Sequence, residues 1–381
     1  MKVILIGRPE AAINGGGDKV QILKTQEYLK RIGIAADVSF NPSVSLSGYD
    51  LAHLFTLDTW DAYKQVKKRN LPYAISPIFW DSREMIYEQR KNASRIRKIY
   101  YEYERRMLIK SAADILLSLK KFVALTLESP SHIRNAYIAA RNYPKYRLSD
   151  ANEMRKEIVA NACIALPNAE MEMRCLEGCL GIKKRYRVIP NAADKLFAKA
   201  TRQKYGNPMN GMNDYVLCVA AVFSFRKNQI NLLRATRDLD INVVLVGNAR
   251  SATEKKYLNE CQRIGNKKVS FLPQLNQADL MNLYAWAKVH VLPSWYETPG
   301  LVSLEAALSG CSIVTTNRGT AKEYLGDLAW YCSPNSVESI RAAVLNAYEG
   351  GSEPTLKRKI LGAYVWEITA EETKKAYELI C

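Results

Sequence analysis

The stretch Ser294–Gly310 reads SWYETPGLVSLEAALSG, and it decides the fold class because it joins a strand pattern to a helix pattern. The buried-strand pattern Val289–Leu292 precedes it, the turn contains Pro299 and Gly300, and apolar residues then recur at helical spacing. A helix start exposes several backbone N–H groups at its positive end, which suits hydroxyl groups or phosphate. The stretch therefore predicts a polar binding turn at the carboxyl end of a strand in an α/β protein.

Two glutamates stand eight residues apart in this stretch. Glu297 precedes the turn and Glu305 falls in the second turn of the helix, so both side chains can face one pocket. A carboxylate accepts charge-assisted hydrogen bonds, which makes it a common partner of sugar and ribose hydroxyls. The alternative is that Glu297 is a charge at a helix start and Glu305 is a surface residue. Apolar neighbours bury this helix, however, and a buried carboxylate needs a partner.

Strand and helix patterns alternate along the rest of the chain. We expect strands in the first half at Val3–Ile6, Ala35–Phe40, Leu51–Phe55, Tyr73–Ile78, Ile115–Ser118, Cys163–Leu166 and Tyr186–Ile189. In the second half we expect them at Val216–Val222, Asn242–Val246, Val269–Phe271, Val289–Leu292, Ser312–Thr315 and Trp330–Cys332. The first long helix, Asp18–Arg31, is expected to turn inward Val20, Leu23, Tyr28 and Leu29. Such alternation predicts parallel sheets covered by helices.

A break in the pattern at Thr201–Asn213, which contains two glycines and a proline, is typical of a linker. We therefore predict one α/β domain at residues 1–205 and a second at residues 214–361. The length of 381 residues also supports two domains rather than one core. Because ligands of open parallel sheets bind at the carboxyl ends of the strands, we expect the site in a cleft between the domains.

The composition excludes several classes of protein. Apolar residues make up 48% and charged residues 24%, which excludes a disordered or collagen-like chain. The apolar run at the N-terminus ends at Arg8, too early for a secretory signal, and no later run approaches the about 18 apolar residues of a membrane span. We therefore expect a soluble or peripheral protein made in the cytosol. Eight scattered cysteines and three separated histidines predict reduced thiols and no metal site.

The net charge of +17 is concentrated in the first half of the chain. Residues 1–210 hold 36 Lys and Arg against 21 Asp and Glu, whereas residues 211–381 hold 19 against 17. The segment Arg83–Lys110 has nine basic residues and four tyrosines, and Arg134–Lys156 is similar. This composition suits an anionic membrane surface or a lipid-diphosphate acceptor, or else amphipathic helices with a solvated basic face. Neither segment has the pattern of a nucleic-acid-binding module, so no nucleic-acid partner is expected.

The spacing of glutamates, glycine and leucine in Ser294–Gly310 resembles the Glu-x7-Glu segment of family 4 retaining glycosyltransferases, the group 1 glycosyltransferases. The resemblance implies the GT-B fold, with two Rossmann-like domains that face each other across a cleft. It implies that the second domain binds a nucleotide-sugar donor and that Glu305 binds the ribose. The resemblance also implies that Glu297 and the backbone of Thr298, Gly300 and Leu301 contact the transferred sugar.

Phe225–Gln229 resembles the family's Lys-Asn-Gln segment, in which a lysine holds the donor diphosphate. This role falls to Lys227, with Arg226 beside it. The alternative is a pair of surface charges at a helix start. The chain departs from the family at Ala220-Ala221, where Gly-Arg is frequent, and Arg226 is the candidate to replace that arginine.

Two further segments of the chain resemble the same family. Gly15, Gly16 and Gly17 resemble the glycine loop by which the first domain meets the donor phosphates, although a flexible loop has the same composition. The C-terminal helix after Tyr364 resembles the terminal segment that crosses back, so residues 362–381 are expected to complete the first domain.

A histidine that many relatives carry after the strand Tyr73–Ile78 is absent, because this chain has Ile78-Phe79-Trp80-Asp81. In the family the departing phosphate is thought to accept the proton of the acceptor, so an enzymic base is not essential. Asp81 is either the group that orients the acceptor hydroxyl or a turn and helix-cap residue. His53, at the end of a strand, is interpreted as a packed structural residue rather than a pocket residue.

The sequence thus predicts a retaining glycosyltransferase that moves a hexose from a nucleotide-diphosphate sugar to a glycan or lipid-linked acceptor. The expected setting is bacterial-type cell-surface polysaccharide or glycoconjugate synthesis, in the cytoplasm or at the inner face of the membrane, and the donor is a substrate, with no metal or cofactor. Two other classes stay open: a nucleotide-sugar epimerase or phosphorylase with the same fold, and a non-catalytic subunit that binds the nucleotide-sugar. The departures at Ala221 and Ile78 keep the subunit open.

Overall fold

The computed structural model describes residues 1–13, 15–91, 119, 121–127, 132–133, 135–137, 140 and 151–380. They form two compact units, Met1–Ile189 with Ala370–Cys381 and Pro190–Thr369. The segment Thr201–Asn213 therefore lies inside the second unit, ahead of its first strand. Each unit is a parallel sheet with helices, so the α/β prediction is confirmed.

The first unit contains a five-stranded parallel sheet in the order β2-β1-β3-β4-β5. Its strands are β1 (Lys2–Ile6), β2 (Ala35–Ser39), β3 (Leu51–Phe55), β4 (Tyr73–Ser76) and β5 (Ile164–Ala165). The strands β1, β3 and β4 are almost continuous apolar runs because helices cover both faces of the sheet. The strand order reverses between β1 and β3, which is where open sheets of this kind bind ligands.

The helices of the first unit follow the strands in alternation. Their bounds are α1 (Glu10–Ile13), α2 (Gly17–Arg31), α3 (Trp60–Lys68), α4 (Arg83–Lys91), α5 (Ala151–Asn161) and α6 (Glu170–Leu180). Helix α14 (Trp366–Tyr377) begins in the second unit, and its residues from Ala370 onward belong to the first. The side chains of α3, α5 and α6 pack with β3 and β4 in one apolar core.

Three expectations for the first unit need comment. The prediction of which residues of α2 face inward is wrong in part. Tyr28 and Leu29 are buried, but Val20 and Leu23 are 43% and 40% exposed. The segment Tyr186–Ile189 is not a strand, and Tyr186 makes a single bridge with Ala165. The strand expected at Ile115–Ser118 lies outside the described residues.

The second unit contains a six-stranded parallel sheet in the order β11-β10-β9-β6-β7-β8. Its strands are β6 (Tyr215–Val222), β7 (Val243–Asn248), β8 (Val269–Leu272), β9 (Ala287–Leu292), β10 (Ser312–Thr316) and β11 (Trp330–Cys332). All six agree with the expected strands to within two residues at either end. The chain runs outward from β6 to β8 and then returns to β9 on the other side of β6. This is the strand order of a dinucleotide-binding sheet, with its reversal between β6 and β9.

Seven of the described helices lie wholly within the second unit. Their bounds are α7 (Gln229–Thr236), α8 (Ala252–Ile264), α9 (Gln277–Trp286), α10 (Leu301–Leu308), α11 (Ala321–Leu325), α12 (Val337–Gly350) and α13 (Pro354–Ala363). A short 3-10 helix, Lys195–Lys199, precedes β6. The core below the sheet is formed by β6, β7 and β9 against α7 and α12.

Candidate functional site

The loops that follow β6 and β9 are joined at the point where the strand order of the second sheet reverses. The backbone N–H of Trp295 donates to the carbonyl of Arg226 at 2.8 Å, and the rings of Phe225 and Trp295 stack with their centroids 5.5 Å apart. Asn228, which adopts a left-handed conformation at the start of α7, donates its amide to the carbonyls of Pro293 and Pro334 at 3.0 and 2.7 Å. These bonds fix both loops relative to the sheet edge.

Lys227 and Glu297 meet across these two loops. Lys227 Nζ donates to Glu297 Oε1 at 2.5 Å, and the two side chains are only 9% and 7% exposed. The guanidinium of Arg226 lies 3.9 Å from the same carboxylate oxygen and 5.5 Å from the ring centroid of Tyr296. The structure thus brings together three predicted site residues from two loops that are distant in sequence, and the replacement of the missing arginine by Arg226 stays a prediction.

The electrostatics of this group follow from burial and from the excess of positive charge. Burial by itself raises the pKa of Glu297, but Lys227 and Arg226 outweigh that effect, so its pKa lies below the usual value. Burial, and next the charge of Arg226, lower the pKa of Lys227, and Glu297 offsets part of that decrease. Glu297 is therefore an anion at neutral pH, held by two cations.

The backbone of Glu297 is fixed by the loop that follows β10. Its N–H donates to the carbonyl of Arg318 at 3.3 Å, and its carbonyl accepts the N–H of Thr320 at 2.8 Å. Gly319 lies between these two with a φ of +99°, and a Cβ at this position would come within 2.0 Å of the Glu297 carbonyl oxygen. Only glycine fits this close approach. The sequence analysis did not single out Gly319, whose visible signal is a glycine just after a strand end.

The turn after Glu297 leads directly into α10. The Thr298–Pro299 peptide bond is cis, and Gly300 has a φ of +87°, a conformation that glycine adopts without strain. Helix α10 begins at Leu301, so the N–H groups of its first turn point back toward the loop that carries Glu297. The predicted turn and helix start are therefore present, and their binding role stays a prediction.

Glu305 lies half-buried in the second turn of α10. Tyr284 Oη on α9 donates to Glu305 Oε2 at 3.4 Å, and burial raises the pKa of Glu305 to about 7 despite this bond. The charge of Asp194 adds to the increase. Glu305 accepts a hydrogen bond from a phenol, whereas Glu297 contacts two cations, which explains why the two pKa values move in opposite directions. Tyr284 was not predicted, because it lies on the preceding helix.

The predicted glycine loop belongs to the first unit. Gly15 and Gly16 precede α2, and Gly17 is its first residue. Arg8 Nε, just after β1, binds Asp18 Oδ2 at 2.6 Å, and a Cβ on Gly16 would come within 2.8 Å of Asp18 Oδ1. The loop therefore has a defined shape set by an ion pair in the first turn of α2.

A buried carboxyl group organises the loops that follow β4 and β5. Glu172 on α6 accepts the N–H of Phe79 at 2.9 Å with Oε1 and the N–H of Asn168 at 2.8 Å with Oε2. Ile78, where many relatives have histidine, has a φ of +46°. Gln21 on α2 donates to Asn168 Oδ1 at 2.7 Å. Burial raises the pKa of Glu172 to about 7. The sequence analysis did not find this residue.

Asp81 pairs with Arg83 at the start of α4. Its Oδ1 accepts the backbone N–H of Arg83 at 2.9 Å, and its Oδ2 lies 2.6 Å from the guanidinium, which lowers the pKa of Asp81. These contacts agree with the turn and helix-cap alternative, and an acceptor role stays a prediction. His53 is buried between Tyr377 Oη at 2.7 Å and Ser76 Oγ at 2.9 Å, and burial lowers its pKa to about 3, as expected of a packed residue.

Other expectations concern partners and metals. Of the basic segment Arg83–Lys110, only residues 83–91 are described, as α4, and most of Arg134–Lys156 also lies outside the described residues. Within the part of the chain that is described, no helix is long and apolar enough to cross a membrane. The same part contains no cluster of three or more His, Cys, Asp or Glu side chains arranged to hold a metal ion.

Comparison with known proteins places the second unit in a family. The family model for glycosyl transferases group 1 matches residues 201–364, the range that includes both site loops. Residues 201–364 are a group 1 glycosyltransferase domain. O-antigen chain mannosyltransferase B of Escherichia coli is 34% identical over 116 residues, which are 29% of this chain and 30% of that protein. The chain thus matches less than a third of the length of this relative.

Solved structures extend the comparison beyond the group 1 glycosyltransferase domain to both units. Sucrose-phosphate synthase of Thermosynechococcus elongatus superposes with a TM-score of 0.72 over 99% of this chain and 98% of that chain, at 15% identity. HepE of Anabaena in complex with UDP and glucose gives a TM-score of 0.65 over 99% of both chains, also at 15% identity. The chain therefore has the GT-B fold, as the resemblance implies.

Proposed function

We propose that this protein is a retaining glycosyltransferase that moves a hexose from a nucleotide-diphosphate sugar to a glycan or lipid-linked acceptor. The observation that carries the proposal is the meeting of Lys227 and Glu297 at the reversal point of the second sheet. This is the place where sheets of this kind bind nucleotides, and it offers a cation for a diphosphate next to an anion for hydroxyl groups.

Each residue of the site has a task in the proposed reaction. Lys227 and Arg226 neutralise the charge that develops on the leaving nucleotide diphosphate, and the N–H groups at the start of α10 add to this. Glu297 accepts hydrogen bonds from the hydroxyls of the sugar, and Glu305 accepts them from the ribose. The leaving phosphate takes the proton of the acceptor hydroxyl, so the absence of a histidine at Ile78 does not prevent transfer.

The proposed setting is the synthesis of a cell-surface polysaccharide or glycoconjugate. The O-antigen chain mannosyltransferase supports this setting and makes a nucleotide-diphosphate mannose a first donor to test. The HepE structures in complex with UDP and glucose and with UDP-glucose make UDP-glucose a second donor to test.

A panel of nucleotide-sugars tests the proposal. Purified protein is heated with UDP-, GDP- and dTDP-hexoses, and the donor is expected to raise the melting temperature by mass action. That donor is then incubated with and without candidate acceptors, and the products are examined by NMR. An isomerised nucleotide-sugar without acceptor indicates an epimerase, and tight binding without hydrolysis or transfer indicates a binding subunit. Exchange of Lys227 for Ala is expected to slow transfer strongly, and wild-type turnover in that variant contradicts the proposal.

The proposal includes transfer without a metal ion, because Lys227, Arg226 and the helix start supply the positive charge that the leaving diphosphate needs. We expect protein treated with EDTA and protein supplied with Mg²⁺ to transfer the sugar at the same rate. Activity that disappears with EDTA and returns with Mg²⁺ contradicts this part of the proposal and leaves the donor assignment intact.

We also propose that the basic first unit binds to the anionic surface of a membrane. Helix α4 has no buried residue and Tyr87 on it is 65% exposed. Leu119, Val123 and Leu127, spaced four residues apart as on one helix face, are 56%, 47% and 79% exposed. Exposed apolar side chains with basic neighbours suit binding to anionic lipid.

Vesicle co-sedimentation tests this location. We expect binding to phosphatidylglycerol vesicles that weakens with salt, and little binding to phosphatidylcholine vesicles. Leu127→Glu is expected to weaken binding, whereas Leu196→Glu, at a 45% exposed leucine of the second unit, serves as the control. Equal binding of both variants contradicts the proposed surface.

A further inference from the structure

Lys227 and Glu297 form a buried ion pair. The contact is 2.5 Å long, and both side chains are less than a tenth exposed. In the proposed function, however, the two residues serve different parts of the donor. Lys227 binds the diphosphate, and Glu297 binds the sugar. A donor that engages both residues therefore has to replace the contact between them.

The neighbours of the pair compensate its charges only in part. His290 on β9 and Cys218 on β6 interact electrostatically with both members. Burial lowers the pKa of His290 to about 3 and raises the pKa of Cys218 to about 12, so both are neutral at pH 7. Arg226 is the further cation, but at 3.9 Å from Glu297 Oε1 and 39% exposed it is the more distant and more solvated one.

Removal of one partner from a buried ion pair leaves the other charge without compensation, which is strongly unfavourable. A free nucleoside diphosphate draws Lys227 toward its phosphates but offers nothing to Glu297. An intact nucleotide-sugar supplies phosphate oxygens to Lys227 and hydroxyl donors to Glu297 at the same time. The two ligands therefore differ in how much of the pair they replace.

We infer that the Lys227–Glu297 ion pair makes this site discriminate between the intact nucleotide-sugar and the free nucleoside diphosphate. The pair opposes binding of the diphosphate alone, and it re-forms after transfer, when the sugar has left, so that it helps to expel the nucleotide product. The inference rests on the proposed function, and it adds to it a means of product release built from the donor-binding residues themselves.

The variant Glu297→Gln tests the inference, because the inference predicts that this variant gains affinity for the free diphosphate. The amide has nearly the same shape but does not compete for Lys227. Isothermal titration with UDP and GDP, and with the matching UDP- and GDP-hexoses, measures both ligand types at one pH and salt concentration. We expect the variant to bind the free diphosphate more tightly than wild type, by about threefold or more, and to bind the nucleotide-sugar no better. The preference of wild type for the nucleotide-sugar is then reduced or lost.

The chain offers a matched control in Glu305→Gln. This carboxyl group is bonded to Tyr284 rather than to a lysine, so its loss is expected to weaken binding of both ligand types alike. Glu297→Asp keeps the charge on a shorter side chain and is expected to lie between wild type and Glu297→Gln. Melting temperatures without ligand verify that each variant is folded, and a folded Asp variant keeps the test valid if the Gln variant fails to fold.

The outcomes separate the inference from the proposed function. Wild-type protein that binds a nucleotide-sugar, together with a Glu297→Gln variant whose diphosphate affinity is unchanged or weaker, overturns the inference and leaves the proposed function in place. Wild-type protein that binds none of the nucleotides or nucleotide-sugars contradicts the proposed function, and the inference falls with it.

Discussion

Glu305 is a half-buried carboxyl group whose pKa is raised to about 7, mainly by burial. It is therefore mostly protonated at pH 6 and mostly ionised at pH 8. A ribose hydroxyl donates well to a carboxylate and poorly to the protonated acid. We expect the nucleotide-sugar that best stabilises the wild-type protein to bind more tightly as the pH rises from 6 to 8, by roughly tenfold, in isothermal titration.

The control for this pH dependence is Glu305→Gln. The variant is expected to bind the donor weakly and with the same affinity across the range, because its amide does not titrate. A wild-type affinity that stays constant between pH 6 and pH 8 shows that ionisation of Glu305 is not linked to donor binding.

Gly319 offers a second test at the scale of one residue. A Cβ there would lie 2.0 Å from the carbonyl oxygen of Glu297, so Gly319→Ala is expected to displace Glu297 and to lower both transfer and the melting temperature. Gly310→Ala is the matched control, because Gly310 has a similar φ of +92° but nothing within 4 Å of its Cβ position. We expect the control to lose stability, by about 1–2 kcal/mol, with transfer retained. Equal loss of transfer in both variants indicates general backbone strain instead.

The sequence allows Glu297, Glu305, Arg226 and Lys227 to be identified because they are charged residues in or just before a helix start, in a spacing that resembles a known family. It does not reveal Gly319 in the same way. The need for glycine at Gly319 arises from a backbone contact between two loops, and a sequence pattern contains no information on such a contact.

At the scale of elements, the hydrophobic pattern of α2 predicts only part of the face that the helix buries. The apolar residues Val20 and Leu23 are exposed, whereas the polar Gln21 and Thr25 are buried. Gln21 is tolerated inside because its amide is bonded to Asn168. Polarity alone therefore predicts the helix and its bounds but assigns part of its inner face wrongly, since the partner of Gln21 is on a distant loop.

The carboxyl group of Glu172 accepts hydrogen bonds from two loops of the first unit, and its titration makes the stability of this unit depend on pH. The pKa of Glu172 is about 7 in the folded chain and about 4.3 when unfolded, so the folded state binds the extra proton between these values. Stability from this residue is therefore full below about pH 4 and is lost as the pH rises toward 7, by up to about 4 kcal/mol. We expect the melting temperature to fall between pH 5 and pH 8.

The variant Glu172→Gln isolates this contribution. Its amide cannot accept both N–H groups, so we expect the variant to be less stable at pH 5 by about 1–3 kcal/mol, with a smaller decrease toward pH 8 than wild type. Because the pKa of Glu305 is also about 7, some pH dependence remains in the variant. A decrease as large as that of wild type shows that Glu172 does not control the pH dependence.

At the scale of the whole molecule, the chain passes between the two units twice, at Ile189–Pro190 and at Thr369–Ala370. The alternation of strands and helices predicts the two sheets, because that pattern repeats over many residues. The positions of the crossings are less visible in the sequence. Ile189 is still held in the first unit by a bond from its N–H to the carbonyl of Pro167, and no change of composition marks the step to Pro190.

The second crossing leads to a prediction about the separate stability of the units. Removal of residues 370–381 deletes Tyr377, which is fully buried in the first unit and bonded to His53 at 2.7 Å. Loss of a buried aromatic side chain costs about 3–5 kcal/mol, so calorimetry is expected to show one transition at a much lower temperature. The transition that the nucleotide-sugar raises belongs to the second unit and is expected to stay. Tyr377→Phe, which removes only the hydroxyl, is expected to cost about 1 kcal/mol in the first transition. Equal shifts of both transitions in the truncated protein contradict this assignment, because the deleted segment would then support both units rather than the first.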